Sequence, residues 1–217
     1  MHFIELDGSV GFKQAIETSA KKNKVIICGS PDDRDLLQDG IGINTDAQSI
    51  LAEANTLNAI DWFNTQKSAL PLEESEQKKL EGRWPGVNGV QHSFALANDI
   101  VTQQPLDTLA AVIVQCEHSW QVPAYLGFGG WNNCPSPAEH CALWQFWQHK
   151  YDARIVGVSG DVIEAYVNKP PCTREEAIAL AWQHFLYCPD LVEQGEETIA
   201  NLAAALLDQK VWFFWWD

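Results

Sequence analysis

The chemically capable residues of this chain gather in its last ninety positions. Cys134, His140 and Cys141 form a C-x5-H-C run, and His184 and Cys188 follow, four residues apart. Cys134 and Cys188 each precede a proline. Cys134 also sits just before an expected helix N-terminus, where the helix dipole lowers a thiol pKa. A nucleophilic reading makes Cys134 or Cys188 the attacking thiol, His140 or His118 the base, and Asn132 or Asp190 the orienting group. No local signature of a known cysteine enzyme accompanies them, and small buried thiols are the competing account.

The same side chains suggest metal. A zinc site wants four soft ligands, usually presented as CxxC or HxxxH pairs, and neither spacing occurs here. His184 and Cys188 share one helical face, so Cys134, His140, His184 and Cys188 could meet only if two helix ends do. The expectation is no metal and no cofactor. The glycines of Gly127-Phe128-Gly129-Gly130-Trp131-Asn132-Asn133 invite a phosphate-cradle reading. Trp131, Cys134 and Pro135 separate them from the following helix, and no Lys-Ser/Thr pair follows. Positive φ and a close backbone crossing explain them better.

Tryptophan is the other conspicuous resource, with 10 in 217 residues. In the terminal run Trp212-Phe213-Phe214-Trp215-Trp216, strand alternation sends Trp212, Phe214 and Trp216 to one face and Phe213 and Trp215 to the other. Both faces are aromatic, as in a sheet buried on both sides. A partly exposed subset would instead form a recognition surface.

These residues need elements to position them. Phe3 to Leu6 and Val25 to Cys28 read as strands around a helix from Val10 to Lys22, a βαβ-like opening that ends in the turn-rich Gly29-Ser30-Pro31-Asp32-Asp33. Asp46 caps a helical stretch with Ile50, Ala54, Leu57 and Ile60 on one face. Residues 69–88 are polar and punctuated by Pro and Gly, as in a linker. Leu109 to Cys116 is a continuous apolar strand. Ser136-Pro137-Ala138-Glu139 is a capping box with Pro at N1, opening a helix to about Tyr151. Ile155 to Ser159 and Val162 to Val167 flank Gly160-Asp161 as a hairpin. Thr173-Arg174-Glu175-Glu176 opens a helix stopped by Pro189. A helix from Thr198 to Leu207 and a strand from Val211 to Trp215 complete the chain.

The expected fold is therefore α+β: a mixed, partly antiparallel sheet with helices packed on it, preceded by a smaller α/β N-terminal region. The division is an N-terminal α/β region (1–68), an irregular linker segment (69–105) and a C-terminal domain (106–217). No apolar stretch approaches the ~20 residues of a membrane span, and the first residues resemble no signal peptide. A soluble cytoplasmic protein with free thiols is the expectation. The net charge of −15 repels phosphate backbones, which argues against nucleic acid. It leaves solubility, or the steering of a basic protein partner, as its use.

Trp120 to Pro135 (WQVPAYLGFGGWNNCP), Val158 to Asp161, Pro170 to Ala177, Tyr187-Cys188-Pro189-Asp190 and the terminal WFFWWD together resemble the bacterial family catalogued as domain of unknown function 4253 (DUF4253), over about residues 106–217. The resemblance implies no established activity. Association of such small acidic proteins with toxin and secretion genes suggests an immunity or adaptor role. Two functions are therefore expected as alternatives. One is a protein-binding module facing a basic toxin or other protein partner, with Trp131, Asn132, Cys134, Tyr187, Asp190, Trp215 and Trp216 as the binding residues. The other is a hydrolase-like, cysteine-dependent enzyme with Cys134, His140 and Asp190 in a pocket formed by the GGWNNCP loop, the YCPD turn and the terminal aromatics.

Overall fold

The computed structural model describes residues 2–31, 46–86, 93–99 and 101–216. Asp32 and Asp33 of the turn read after the second strand, Asn88 of the polar segment and the terminal Asp217 lie outside them. Among the described residues, six strands form one sheet: β1 (His2–Asp7), β2 (Asn23–Gly29), β3 (Thr108–Gln115), β4 (Ala153–Val158), β5 (Val162–Val167) and β6 (Val211–Trp215). Their order is β1-β3-β2-β4-β5-β6. All neighbours are antiparallel except β2 and β4, which meet in parallel at Ile27 and Gly157.

The sheet is thus mixed, and helices pack on it, so the α+β expectation holds. The opening β-α-β is split. β3 inserts between β1 and β2, and the expected N-terminal region therefore shares its sheet with the 106–217 segment. β2 and β3 can occupy the centre because their residues are apolar on both faces. Ile26, Cys28, Ala110, Val112 and Val114 enter the larger core, while Val25, Ile27, Leu109 and Ala111 enter the smaller.

The smaller core lies under α1 (Gly11–Thr18) and a 3-10 turn, Ala95–Ala97, and Phe12 stacks on Phe94 at 4.0 Å. The turn is tied down by a buried carboxylate on β5. Glu164 accepts hydrogen bonds from the backbone N–H groups of Ala95 and Leu96.

The larger core lies under α2 (Ala47–Ala54), α3 (Ala59–Ala69), α5 (Val122–Leu126), α6 (Pro137–Tyr151), α7 (Arg174–Tyr187) and α8 (Ile199–Leu206). The single helical stripe expected after Asp46 is two helices. Asp46 caps α2 through Gln48 N–H, but Asn58 then accepts from Ile60 and Asp61 N–H and starts α3 afresh. A short polar side chain that bonds its own backbone breaks a helix interior and makes a good cap. Leu57 and Ile60 are consequently exposed. The polar segment read as a linker contains a helix, α4 (Glu74–Glu81), held by a Glu73/Glu76 capping box and by Leu80 packed on the core.

Candidate functional site

The site begins with α6. Ser136 Oγ accepts from Glu139 N–H, and Glu139 Oε2 accepts from Ser136 N–H at 2.8 Å, so the expected capping box is present. The other Glu139 oxygen accepts from Trp62 Nε1 of α3 at 2.7 Å, which fixes the start of α6 against its neighbour. His140, in the first turn, is thereby directed into the core and is fully buried.

The glycine loop closes over it. Gly130 N–H donates to Pro135 O and Cys134 N–H to Trp131 O. Gly127, Gly129 and Gly130 all take positive φ, as does Asn132 at 46°. At Gly129 (φ 112°), an added Cβ would lie 2.2 Å from Pro135 O and 2.6 Å from His140 Cδ2. Only glycine fits where backbone crosses an imidazole this closely.

The three C-terminal motifs meet on His140. Cys134 Sγ lies 3.3 Å from His140 Nε2, His140 Nδ1 lies 2.6 Å from Tyr187 Oη, and Trp144 Nε1 donates to the same Oη at 2.8 Å. Phe128, Tyr187 and Trp216 surround the imidazole edge-to-face, with ring centroids at 5.3, 5.3 and 5.4 Å. The YCPD turn also anchors β6, because Cys188 Sγ donates to Trp215 O at 2.9 Å and Trp216 Nε1 to Tyr187 O at 3.4 Å.

Proton accounting fixes the direction of this chain. Trp144 Nε1 can only donate, so Tyr187 Oη accepts there. The tyrosyl proton then has His140 Nδ1 as its acceptor, because a buried hydroxyl that accepted from both sides would leave its own proton unpaired. His140 therefore carries its proton on Nε2 and donates it towards Cys134 Sγ. The polarity runs Trp144 to Tyr187 to His140 to Cys134.

Electrostatics agrees with a neutral chain. Burial pushes the His140 pKa down to about 3 and the Cys134 thiol well above its ordinary value. It also drives Tyr187 well up. The expectation that a helix N-terminus would activate Cys134 is thus reversed: desolvation of the thiolate outweighs the dipole. Asp190 does not orient His140; it bonds Gln194 Nε2 at 2.9 Å at the head of a π-helix, Leu191–Glu196.

Residues 110–217 match the family described as a domain of unknown function, DUF4253. The chain belongs to the DUF4253 family through this C-terminal half. No curated protein and no solved structure matches the chain.

Within the DUF4253 segment, the expected site residues divide. Cys134, Tyr187 and Trp216 join His140 in the interior, Trp131 and Trp215 are half-buried, and Asn132 is exposed. The outer face of β6 is half-buried, rather than fully covered as the all-aromatic pattern predicts. The metal candidates do not assemble. His184 packs against Trp147, Trp212 and Phe214, and Cys188 bonds Trp215 O. Among the described residues, no group of three or more His, Cys, Asp or Glu could hold a metal ion. None of their helices is long and apolar enough to cross a membrane.

Sequence reasoning missed Trp144, the first donor of the chain, which carries no motif and reads as one apolar helix residue among many. It also missed a cavity of about 290 Å³ at the β6 edge of the DUF4253 segment, lined in part by His184, Gln209, Trp212, Phe213 and Trp215. Only the fold brings those residues together.

Proposed function

We propose that this chain is a protein-binding module, of the immunity or adaptor kind, that presents an acidic surface to a basic partner. The observation that carries the reading is the closed Trp144–Tyr187–His140–Cys134 chain. It occupies the residues best equipped for chemistry in a neutral, buried arrangement that welds three sequence motifs into one scaffold. A thiol raised this far and an imidazole whose Nε2 already holds its proton make a poor nucleophile and base. The charge then supplies the functional surface. Between residues 185 and 209 stand Asp190, Glu193, Glu196, Glu197 and Asp208, with no Lys or Arg. Such a surface attracts a basic protein over roughly a Debye length, about 8 Å at physiological salt. Six free thiols agree with a reducing cytoplasmic setting.

The test is affinity capture from host lysate, with Glu193→Lys/Glu196→Lys/Glu197→Lys as the control bait. A basic protein captured by the wild type, released by high salt and lost with the control supports the reading. Equal capture by both baits, or no specific partner, sinks it. The 3.3 Å contact between Cys134 and His140 favours a second reading, a cysteine-dependent hydrolase acting at the same three motifs. Its test is Cys134→Ala against a panel of ester and amide substrates; a turnover abolished by that change would move the proposal there.

A further inference from the structure

Four buried side-chain nitrogen or oxygen atoms among the described residues have no hydrogen-bond partner: Tyr151 Oη, His184 Nε2, Gln209 Nε2 and Trp212 Nε1. Three of the four belong to residues that line the β6-edge cavity. His184, Gln209 and Trp212 are 1%, 4% and 1% exposed. Buried polar groups are almost always paired, so three orphans on one cavity are a signal about what the cavity holds.

Neighbouring contacts fix these groups in place. Gln209 Oε1 accepts from the backbone N–H of Lys210 at 2.9 Å and of Val211 at 3.4 Å. That anchors the amide with its nitrogen as the free end, because the opposite orientation would set N–H against N–H. The Trp212 indole is gripped edge-on by His184 at 4.6 Å, Trp147 at 5.8 Å and Tyr151 at 5.5 Å. The cavity is also bordered by the π-helix Leu191–Glu196, which contributes Leu191, Gly195 and Glu196 to its wall. π-Helical turns are rare and concentrate at functional sites.

The three free groups define a chemistry. Trp212 Nε1 and Gln209 Nε2 can only donate, so a group that pairs with either must be an acceptor. A neutral His184 with its proton on Nδ1 accepts an N–H at the free Nε2. A carboxamide offers an acceptor oxygen and an N–H on adjacent atoms. A carboxylate is disfavoured because, among the described residues, the wall includes Glu196 and no Lys or Arg. Phe213 and Trp215 give the rest of the wall an aromatic lining suited to a flat apolar body. We propose that this cavity is a binding site for an uncharged small molecule bearing a carboxamide. Its carbonyl oxygen is held by Trp212 and Gln209, its N–H faces His184, and its apolar body lies on Phe213 and Trp215.

The experiment uses the full chain with benzamide as probe and benzoate as its charged counterpart of the same shape. Binding is read from the indole N–H resonance of Trp212, assigned by its loss in Trp212→Phe. Benzamide is expected to shift that resonance saturably, with an affinity near about 1 mM for so small a molecule. Benzoate is expected to bind at least about tenfold more weakly, the penalty of an uncompensated buried charge. Gln209→Glu keeps the oxygen that holds Lys210 and Val211 and removes only the free nitrogen, so it is expected to weaken benzamide by at least about tenfold. Should either variant fail to fold, the benzamide-soaked crystal of the wild type still decides the matter. No saturable shift with benzamide, equal binding of benzoate, or a benzamide-soaked crystal with only water against these three groups would each overturn the proposal. None of those outcomes bears on the capture of a basic protein.

Discussion

Replacing Tyr187 by Phe removes one oxygen atom and is expected to destabilise the protein by several kcal/mol. The ring and its edge-to-face contacts with Trp147, Phe214 and Trp216, at 4.9, 4.9 and 5.2 Å, are retained. What is lost is the hydroxyl at which two buried groups converge. Trp144 and His140 are both 0% exposed, so neither can turn to water. Each buried polar group left without a partner costs about 1–3 kcal/mol, which gives roughly 2–6 kcal/mol for the pair. At a urea slope of about 3 kcal/mol/M, a loss near about 4 kcal/mol lowers the unfolding midpoint by roughly 1.3 M. Circular dichroism during urea unfolding reads this directly.

A double-mutant cycle isolates the hydroxyl's part. In a Trp144→Phe background the same substitution orphans only His140, so its cost should fall by about 1–3 kcal/mol. Nitrogen-15 NMR of the His140 ring tests the polarity: the wild-type proton should reside on Nε2, and that preference should disappear in Tyr187→Phe. A Tyr187→Phe cost below about 0.5 kcal/mol, an additive cycle, or a wild-type proton on Nδ1 would refute the chain as drawn.

Further predictions concern reactivity, pH and the glycine loop. In the native protein iodoacetamide should label Cys172, the one exposed thiol, while Cys28, Cys116, Cys134, Cys141 and Cys188 react only after unfolding, as peptide mass mapping would show. His140 and His184 both have a folded pKa near about 3, below the usual 6.5. Their contribution to stability is thus complete above pH 6.5 and is lost as pH falls, by about 1.4 kcal/mol per unit for each. Burial raises Glu164 from 4.5 to about 7, the opposite case, in which stability is complete below pH 4.5 and is lost as pH rises through 7. Stability measured against pH should peak near about 6.5, and Glu164→Gln should flatten the decline on the alkaline side. Gly129→Ala should cost more than about 3 kcal/mol or prevent folding, since both its φ and its Cβ are disallowed. Gly130→Ala, with φ of 89° but nothing within 4 Å of the added Cβ, should cost about 1–2 kcal/mol, both variants being read by the same urea unfolding.

Local signals were legible in the sequence wherever a single short segment decides the outcome. Ser136 and Thr173 cap the helices that their Glu partners predict, and Val211–Trp215 is the strand its apolar run indicates. Asn58 shows the limit of that reading. An apolar stripe from Ile50 to Ile60 fits one helix, yet a side chain able to bond Ile60 and Asp61 N–H resets the helix between them. The insertion of β3 between β1 and β2 is a long-range pairing between segments about a hundred residues apart, which no local pattern encodes.

The candidate site follows the same division. Cys134 and His140 are six residues apart, so the capping box that starts α6 is enough to suggest their encounter. Their chemical state depends on residues far along the chain. Tyr187 reaches His140 across 47 positions and Trp144 across 43, and these two decide which imidazole nitrogen carries the proton. The sequence shows a thiol beside a helix N-terminus and suggests activation. Packing β6 and α7 around that thiol removes the water a thiolate needs, and the desolvation dominates. A motif of reactive residues therefore predicts that they meet more reliably than it predicts that they react, because meeting needs only local geometry while reactivity depends on how much solvent the whole fold leaves beside them.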